Sequence, residues 1–181
     1  GPPGAGKGTQ SKYLVHKLNN FQVSTGDILR EEIKKNSDIG QQITNNMNEG
    51  KFVSDEIVNA LIKKLIDDPQ KKDKLIFDGY PRSLSQAKYL DFLLDNSNQK
   101  IDHIFFLNVN KDTIIERIEK RKILENRSDD NRDTILNRYD TYMETTRPVL
   151  DYYSKNLNFH EINGTQEIDQ ITKEIEAFID V

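Results

Sequence analysis

Gly1-Pro2-Pro3-Gly4-Ala5-Gly6-Lys7-Gly8-Thr9 opens the chain and leads into Ser11-Lys12-Tyr13-Leu14-Val15. The spacing is G-x-x-x-x-G-K, which reads as a phosphate-binding loop running into a helix. Glycines let the backbone curl so that successive N–H groups point at phosphate oxygens, and the following helix adds its positive N-terminal end. Lys7 supplies a mobile point charge for the outer phosphates, so a nucleoside triphosphate is the expected ligand. Gly8 stands where most such loops carry Ser or Thr.

Working outward, 181 residues suffice for one sizeable α/β domain with small appended pieces. A net charge of −4 argues against a general nucleic-acid binder. No apolar run approaches the ~18 residues of a membrane span, and neither a secretory leader nor a membrane partner is expected. The absence of cysteine removes disulfides and thiolate metal sites and fits a cytoplasmic setting. A mean hydropathy of −0.76 describes a very soluble protein. A strand normally delivers the chain into a phosphate loop. The given sequence is therefore expected to be truncated, with roughly five to eight β-branched or aliphatic residues ahead of Gly1. That strand would lie between the sheet neighbours of 21–24 and 103–109.

Short apolar runs alternate with helical patterns, which predicts a parallel sheet flanked by helices. Candidate strands are 21–24, 75–78, 103–109 and 159–163. Ile57, Val58, Leu61, Ile62, Leu65 and Ile66 repeat at helical spacing, as do Leu84/Ala87/Leu90/Leu94 and Ile168/Ile171/Ile175/Ile179. A long helix is predicted from about 130 towards 147, with Ile135, Tyr139, Tyr142 and Met143 inward and Pro148 bending or restarting it.

Three constellations carry chemistry. Ser24-Thr25-Gly26-Asp27-Ile28-Leu29-Arg30 leaves a strand and enters a helix, where Thr25 or Asp27 suits a cap and Arg30 a solvated face. Leu75-Ile76-Phe77-Asp78 ends a hydrophobic strand on a carboxylate, and a stiff Gly79-Tyr80-Pro81 turn then projects Arg82. A carboxylate at that strand end lies where parallel sheets bind ligands, and Asp78 is expected to hold Mg²⁺ through water. The third is Arg117, Arg121, Arg127 and Arg138, with Asp129-Asp130-Asn131 among them. Phosphoryl transfer between two nucleotides gathers roughly six negative charges, which arginine forks hold and stabilise. No general base is needed, because a phosphate acceptor is already ionised.

Together GPPGAGKGTQ, STGDILREEI, GKFVSDEIV, FDGYPRSLSQA and NRSDDNRDTILNR, in that order, resemble the adenylate kinases of the nucleoside-monophosphate kinase family, in their short-lid form. The likeness covers nearly the whole chain except a first strand. It implies Mg·ATP + AMP ⇌ 2 ADP on a P-loop parallel sheet with a hinged monophosphate-binding insertion, residues 24–53, and a lid, residues 120–130. It places ATP phosphates on Gly4, Ala5, Gly6, Lys7, Gly8 and Thr9, with Arg117 against the base and Gln166 in a loop that meets adenine mainly through backbone. AMP is implied at Thr25, Arg30, Lys51, Phe52, Val53, Gly79, Tyr80, Pro81, Arg82 and Gln86. Arg121, Arg127 and Arg138 would surround the phosphates, making Lys7, Arg82, Arg121, Arg127 and Arg138 the catalytic set.

Thr25 and Gln86 are the family's choices for adenine, and a Gln amide pairs with adenine's donor–acceptor edge. A UMP/CMP kinase is the alternative enzyme, and an adenylate-binding module without turnover the alternative class. Asn126 replaces the usual Gly before the lid's Arg-x-Asp-Asp and tolerates left-handed geometry. A lid of about eleven residues without Cys or clustered His excludes the structural zinc of long-lid relatives. His16, His103 and His160 are scattered in sequence and read as structural or exposed. The protein is expected to be a monomer.

Overall fold

Residues 21–24 and 75–78 pair in parallel, as do 104–108 and 159–163, in a computed structural model that describes residues 1–35, 38–49, 51–125, 132–156 and 158–179. The strands are β1 (Phe21–Ser24), β2 (Leu75–Asp78), β3 (Ile104–Asn108) and β4 (Phe159–Asn163). Around them lie α1 (Lys7–Leu18), α2 (Thr25–Lys34), α3 (Asp38–Asn48), α4 (Asp55–Ile66), α5 (Leu84–Asn96), α6 (Lys111–Glu125), α7 (Arg132–Thr141), α8 (Arg147–Tyr153) and α9 (Ile168–Ile179). Parallel neighbours need long crossovers, and helices fill them.

Register positions the chemistry. Ser24 pairs with Asp78 and Asn108 with Asn163, so both ladders present a carboxyl-terminal edge from which loops emerge. Among the described residues no strand pairs with both β2 and β3, so the ladders are two rather than one. The phosphate loop touches both halves. Gly1 lies against Leu107 of β3, where an added Cβ would stand 2.6 Å from the Leu107 carbonyl oxygen. At its other end α1 packs on β1, β2 and α9.

Each ladder has its own apolar core. Val23, Leu29, Ile43, Ile62, Ile66 and Leu90 bury one face of the first half. Ala5, Leu107, Ile114, Ile118, Ile135 and Ile162 fill the second. Fully burying an aliphatic side chain contributes roughly 1.5–3 kcal/mol, so these residues hold α4, α5, α6 and α9 in place. Leu84 and Ile168, at the first positions of α5 and α9, depart from the predicted stripes at 37% and 51% exposure. The ladder of β3 is one residue shorter at each end than predicted: Val109 is buried beyond it and His103 is exposed before it.

The predicted long helix runs on through Arg147 but changes its winding. After α7 the backbone widens into a π-helical stretch, Tyr142–Thr146, before α8 begins. Pro148 is the second residue of α8 and follows directly on the π-helical stretch. No helix among the described residues is long and apolar enough to cross a membrane.

Candidate active site

The start of α1 is built to be open. Gly6 stands before the helix at φ 96°, and no side chain caps the turn. The first N–H groups of the helix therefore face the loop with their positive dipole end. Ala5 is buried in the second core and its N–H donates to the Pro2 carbonyl at 3.2 Å, which folds the loop over. The Lys7 ammonium lies across the loop, donating to the carbonyls of Gly1 at 2.9 Å and Pro2 at 2.8 Å. Burial pulls its pKa down to about 8; Asp78 opposes that pull, while Arg82, Arg138 and Arg121 add to it.

The paired ends of β1 and β2 form the second wall. Ser24, rather than Thr25 or Asp27, caps α2 by accepting from the Asp27 N–H at 3.3 Å. Thr25 is thereby free to turn inward, and its buried hydroxyl donates to the Gly79 carbonyl at 2.9 Å. Arg82 Nε donates to the same oxygen at 2.6 Å, and its guanidinium lies 5.5 Å from the centre of the Phe52 ring. Burial first, and then Arg138, pull Arg82 down to about 10. Arg30 also acts on Arg82, although Arg30 pairs with Asp27 at 2.6 Å on the same helix.

Gln86 is almost completely buried. Its Oε1 accepts from the Arg82 N–H at 2.8 Å, and its Nε2 donates to Asp55 at 2.7 Å. The amide orientation follows from those partners, because a carboxylate only accepts and a backbone N–H only donates. Tyr80 is buried between, with its hydroxyl donating to Asn59 at 2.7 Å, and burial raises its pKa. Pro81 follows through a cis peptide bond. Val53 is buried in the first core, whereas Lys51 is exposed and pairs with Glu49 at 2.7 Å.

Asp78 closes β2 beneath the phosphate loop. Its Oδ2 accepts from Gln22 Nε2 at 3.1 Å and lies 3.4 Å from where a Gly8 side chain would begin. Gln22 Nε2 also donates to Ser11 on α1, so Asp78 is tied to the loop's helix. From the second half, Arg117 donates to the Ala5 carbonyl at 3.5 Å. Arg121 and Arg138 reach Lys7 electrostatically. Gln166 turns its side chain back to the Asn163 carbonyl and Glu174, which leaves its loop to present backbone. Thr9 is exposed at the loop's rim.

Residues from both halves thus converge: Lys7, Arg82, Arg121 and Arg138 gather with Asp78 as the opposing carboxylate. Such a basin favours a ligand carrying several negative charges. Arg127 and the other residues of 126–131 lie outside the described residues, and 120–125 continue α6.

Gln22, Asp55 and Thr146 were not singled out from the sequence. A polar residue inside an apolar strand was the available signal for Gln22. Asp55 lies in the first turn of α4, where a carboxylate is ordinary, and nothing local signals that it orients Gln86. Thr146 donates to the Arg82 carbonyl at 2.8 Å from the π-helical stretch, a placement that periodicity conceals.

Comparison with known proteins adds an independent line. The family model described as adenylate kinase matches residues 1–158. An adenylate kinase of Pelagibacter ubique (strain HTCC1062) is 46% identical, with all of this chain and 97% of that protein covered. The adenylate kinase of Mycoplasma capricolum subsp. capricolum is 41% identical over 91% of this chain and 89% of its own. That of Nocardioides sp. (strain ATCC BAA-499 / JS614) is 36% identical, with 100% and 95% covered.

Proposed function

The chain belongs to the adenylate kinase family, and on that footing we propose that it moves the γ-phosphoryl group of Mg·ATP onto AMP, giving two ADP. It is a nucleoside-monophosphate kinase, a transferase that binds nucleotides. The observation that carries the finer reading is the meeting of Lys7, Arg82, Arg121 and Arg138 above the open end of α1.

ATP phosphates would rest on residues 4–9, with the α1 N–H groups and Lys7 as donors. The AMP phosphate would lie against Arg82, with Arg30 and Arg138 nearby, inside the segment 24–53 and the turn 79–82. Arg127 would join the clamp. Arg117 and the backbone around Gln166 would meet the ATP base. Thr25 and Gln86 would face adenine. Their hydrogen bonds to Gly79 and Asp55 hold both side chains in one orientation, so little rotamer freedom is lost when the base arrives.

Catalysis then rests on position and charge. The arginine forks hold oxygens of both nucleotides and strengthen as charge spreads in the transition state. The acceptor needs no base, since its phosphate is already ionised. Closure of 24–53 and 120–130 over the nucleotides would exclude water and suppress hydrolysis. The donor set fits Mg²⁺: a single carboxylate, held in place by Gln22, suits a hard cation that keeps most of its waters. Asp78 would hold Mg²⁺ through water, and the bound ion offsets phosphate charge.

The test is a coupled assay of the purified protein with ATP and each of AMP, UMP, CMP and GMP. ADP should form from AMP, with UMP and CMP at least tenfold poorer, because losing a paired hydrogen bond costs about 1–3 kcal/mol. Faster turnover with CMP or UMP would assign the pyrimidine kinase reading instead. Tight nucleotide binding without ADP formation would leave only a binding module.

A further inference from the structure

His103 and His160 lie far apart in sequence yet meet at the outer end of the second ladder. His103 directly precedes β3, and His160 on β4 pairs in register with Phe105. Their rings are 5.5 Å apart between centres, and His103 Nδ1 stands 3.3 Å from His160 Nε2. Two nitrogens bound at 2.0–2.1 Å to one tetrahedral ion are separated by about 3.3–3.4 Å. The observed spacing fits a shared ion as well as a hydrogen bond between the rings.

The rings are also held in place. Phe178 of α9 stacks on His160 at 4.0 Å, and Phe105 stacks on both imidazoles, at 5.2 Å from His160 and 5.8 Å from His103. This aromatic wall leaves the imidazole edges as the polar part of the patch. His103 is exposed, so an ion has access from solvent. The nucleotide site is elsewhere: Asn108 at the other end of β3 is ~16 Å away by strand rise.

We propose that His103 and His160 form a surface chelate for a borderline divalent ion of the Zn²⁺ type, which clips β3 to β4. Two neutral imidazoles suit Zn²⁺, Ni²⁺ or Cu²⁺ and are poor ligands for Mg²⁺. No group of three or more metal-ligating side chains occurs among the described residues, so water completes the coordination. An ion bound only by the paired strands stabilises the folded chain by mass action.

Calorimetric titration of nucleotide-free protein with ZnCl₂ tests this, alongside MgCl₂ as a contrast. One Zn²⁺ per chain should bind, the melting temperature should rise with zinc, and ring ¹⁵N resonances of both histidines should shift together. His103→Asn and His160→Asn should each weaken zinc binding at least tenfold, while His16→Asn leaves it unchanged. Melting curves without zinc establish that the variants fold, and basal kinase activity should persist in all three. Zinc affinity unaffected by either substitution, or no zinc binding above that of the variants, would overturn the proposal. So would zinc shifts confined to other residues. If a hydrogen bond alone joins the rings, both substitutions would lower the melting temperature with no zinc-dependent difference, which equally refutes the chelate.

Discussion

Arg82→Met keeps the long stem and removes the guanidinium, so it separates a phosphate clamp from a structural arginine. That guanidinium is pulled well below its ordinary range, to about 10, by burial and then by Arg138. At about 1.4 kcal/mol for each factor of ten in proton affinity, its removal relieves on the order of 3 kcal/mol, an upper bound since solvent screens part of it. Two contacts oppose that gain. The hydrogen bond from Nε to the Gly79 carbonyl contributes ~1 kcal/mol, and the cation over Phe52 contributes ~0.5–2 kcal/mol. Gly79 keeps its second donor, Thr25. These terms nearly cancel, so the melting temperature should move by less than ~5 °C. Turnover should behave otherwise: losing contacts that strengthen in the transition state should lower kcat at least a hundredfold, about 3 kcal/mol. The assay is coupled ADP formation at saturating ATP and AMP, with thermal melting of the same sample. Near-normal turnover, with or without lost stability, would refute the clamp.

Burial pulls the Lys7 ammonium down to about 8, so it should lose its proton far below the ordinary lysine range. Phosphate favours the charged form, and ATP binding should take up protons at pH 8.5 but hardly at pH 6.5; calorimetric heats independent of buffer ionisation at pH 8.5 would contradict this. The stability sign is opposite to that of a salt-bridged lysine. The folded pKa lies below the ordinary 10.5, so this group's contribution to folding should rise between pH 8 and 10.5, and the rise should vanish in Lys7→Met. Gly4→Ala should destabilise more than Gly6→Ala. Both have positive φ, costing ~1–2 kcal/mol for a side chain. A Cβ at Gly4 would also stand 2.8 Å from Ile118, whereas at Gly6 nothing lies within 4 Å. Reversed melting temperatures would show that Ile118 yields.

Local signals made much of the molecule legible. The loop at 1–9 announces itself because phosphate binding needs small residues and a lysine at fixed spacing, a demand written in consecutive positions. Helices α4 and α5 follow from their apolar period, and β1, β2 and β4 from short apolar runs between turns. Even Asp78 could be placed at a strand's carboxyl end, since a strand and its terminus are local features. Ser24 shows the limit: the sequence offered Thr25 or Asp27 as the cap of α2, whereas in the fold Ser24 caps it and Thr25 packs inward. The π-helical widening before α8 was equally hidden, because the apolar period there fits a continuous helix.

The amino-acid order by itself determined which segments become helix or strand, where the phosphate loop lies, and which side chains could serve two nucleotides. These follow from interactions within one turn or one strand. Tertiary structure alone decided which of those side chains meet. Parallel register set Ser24 against Asp78, packing brought Arg138 to Arg82, and Gln86 found Asp55 across two helices. His103 and His160, unremarkable singly, became neighbours only when β3 paired with β4. Such contacts depend on the closing of long loops and on competition for buried space, and neither leaves a mark at the positions concerned.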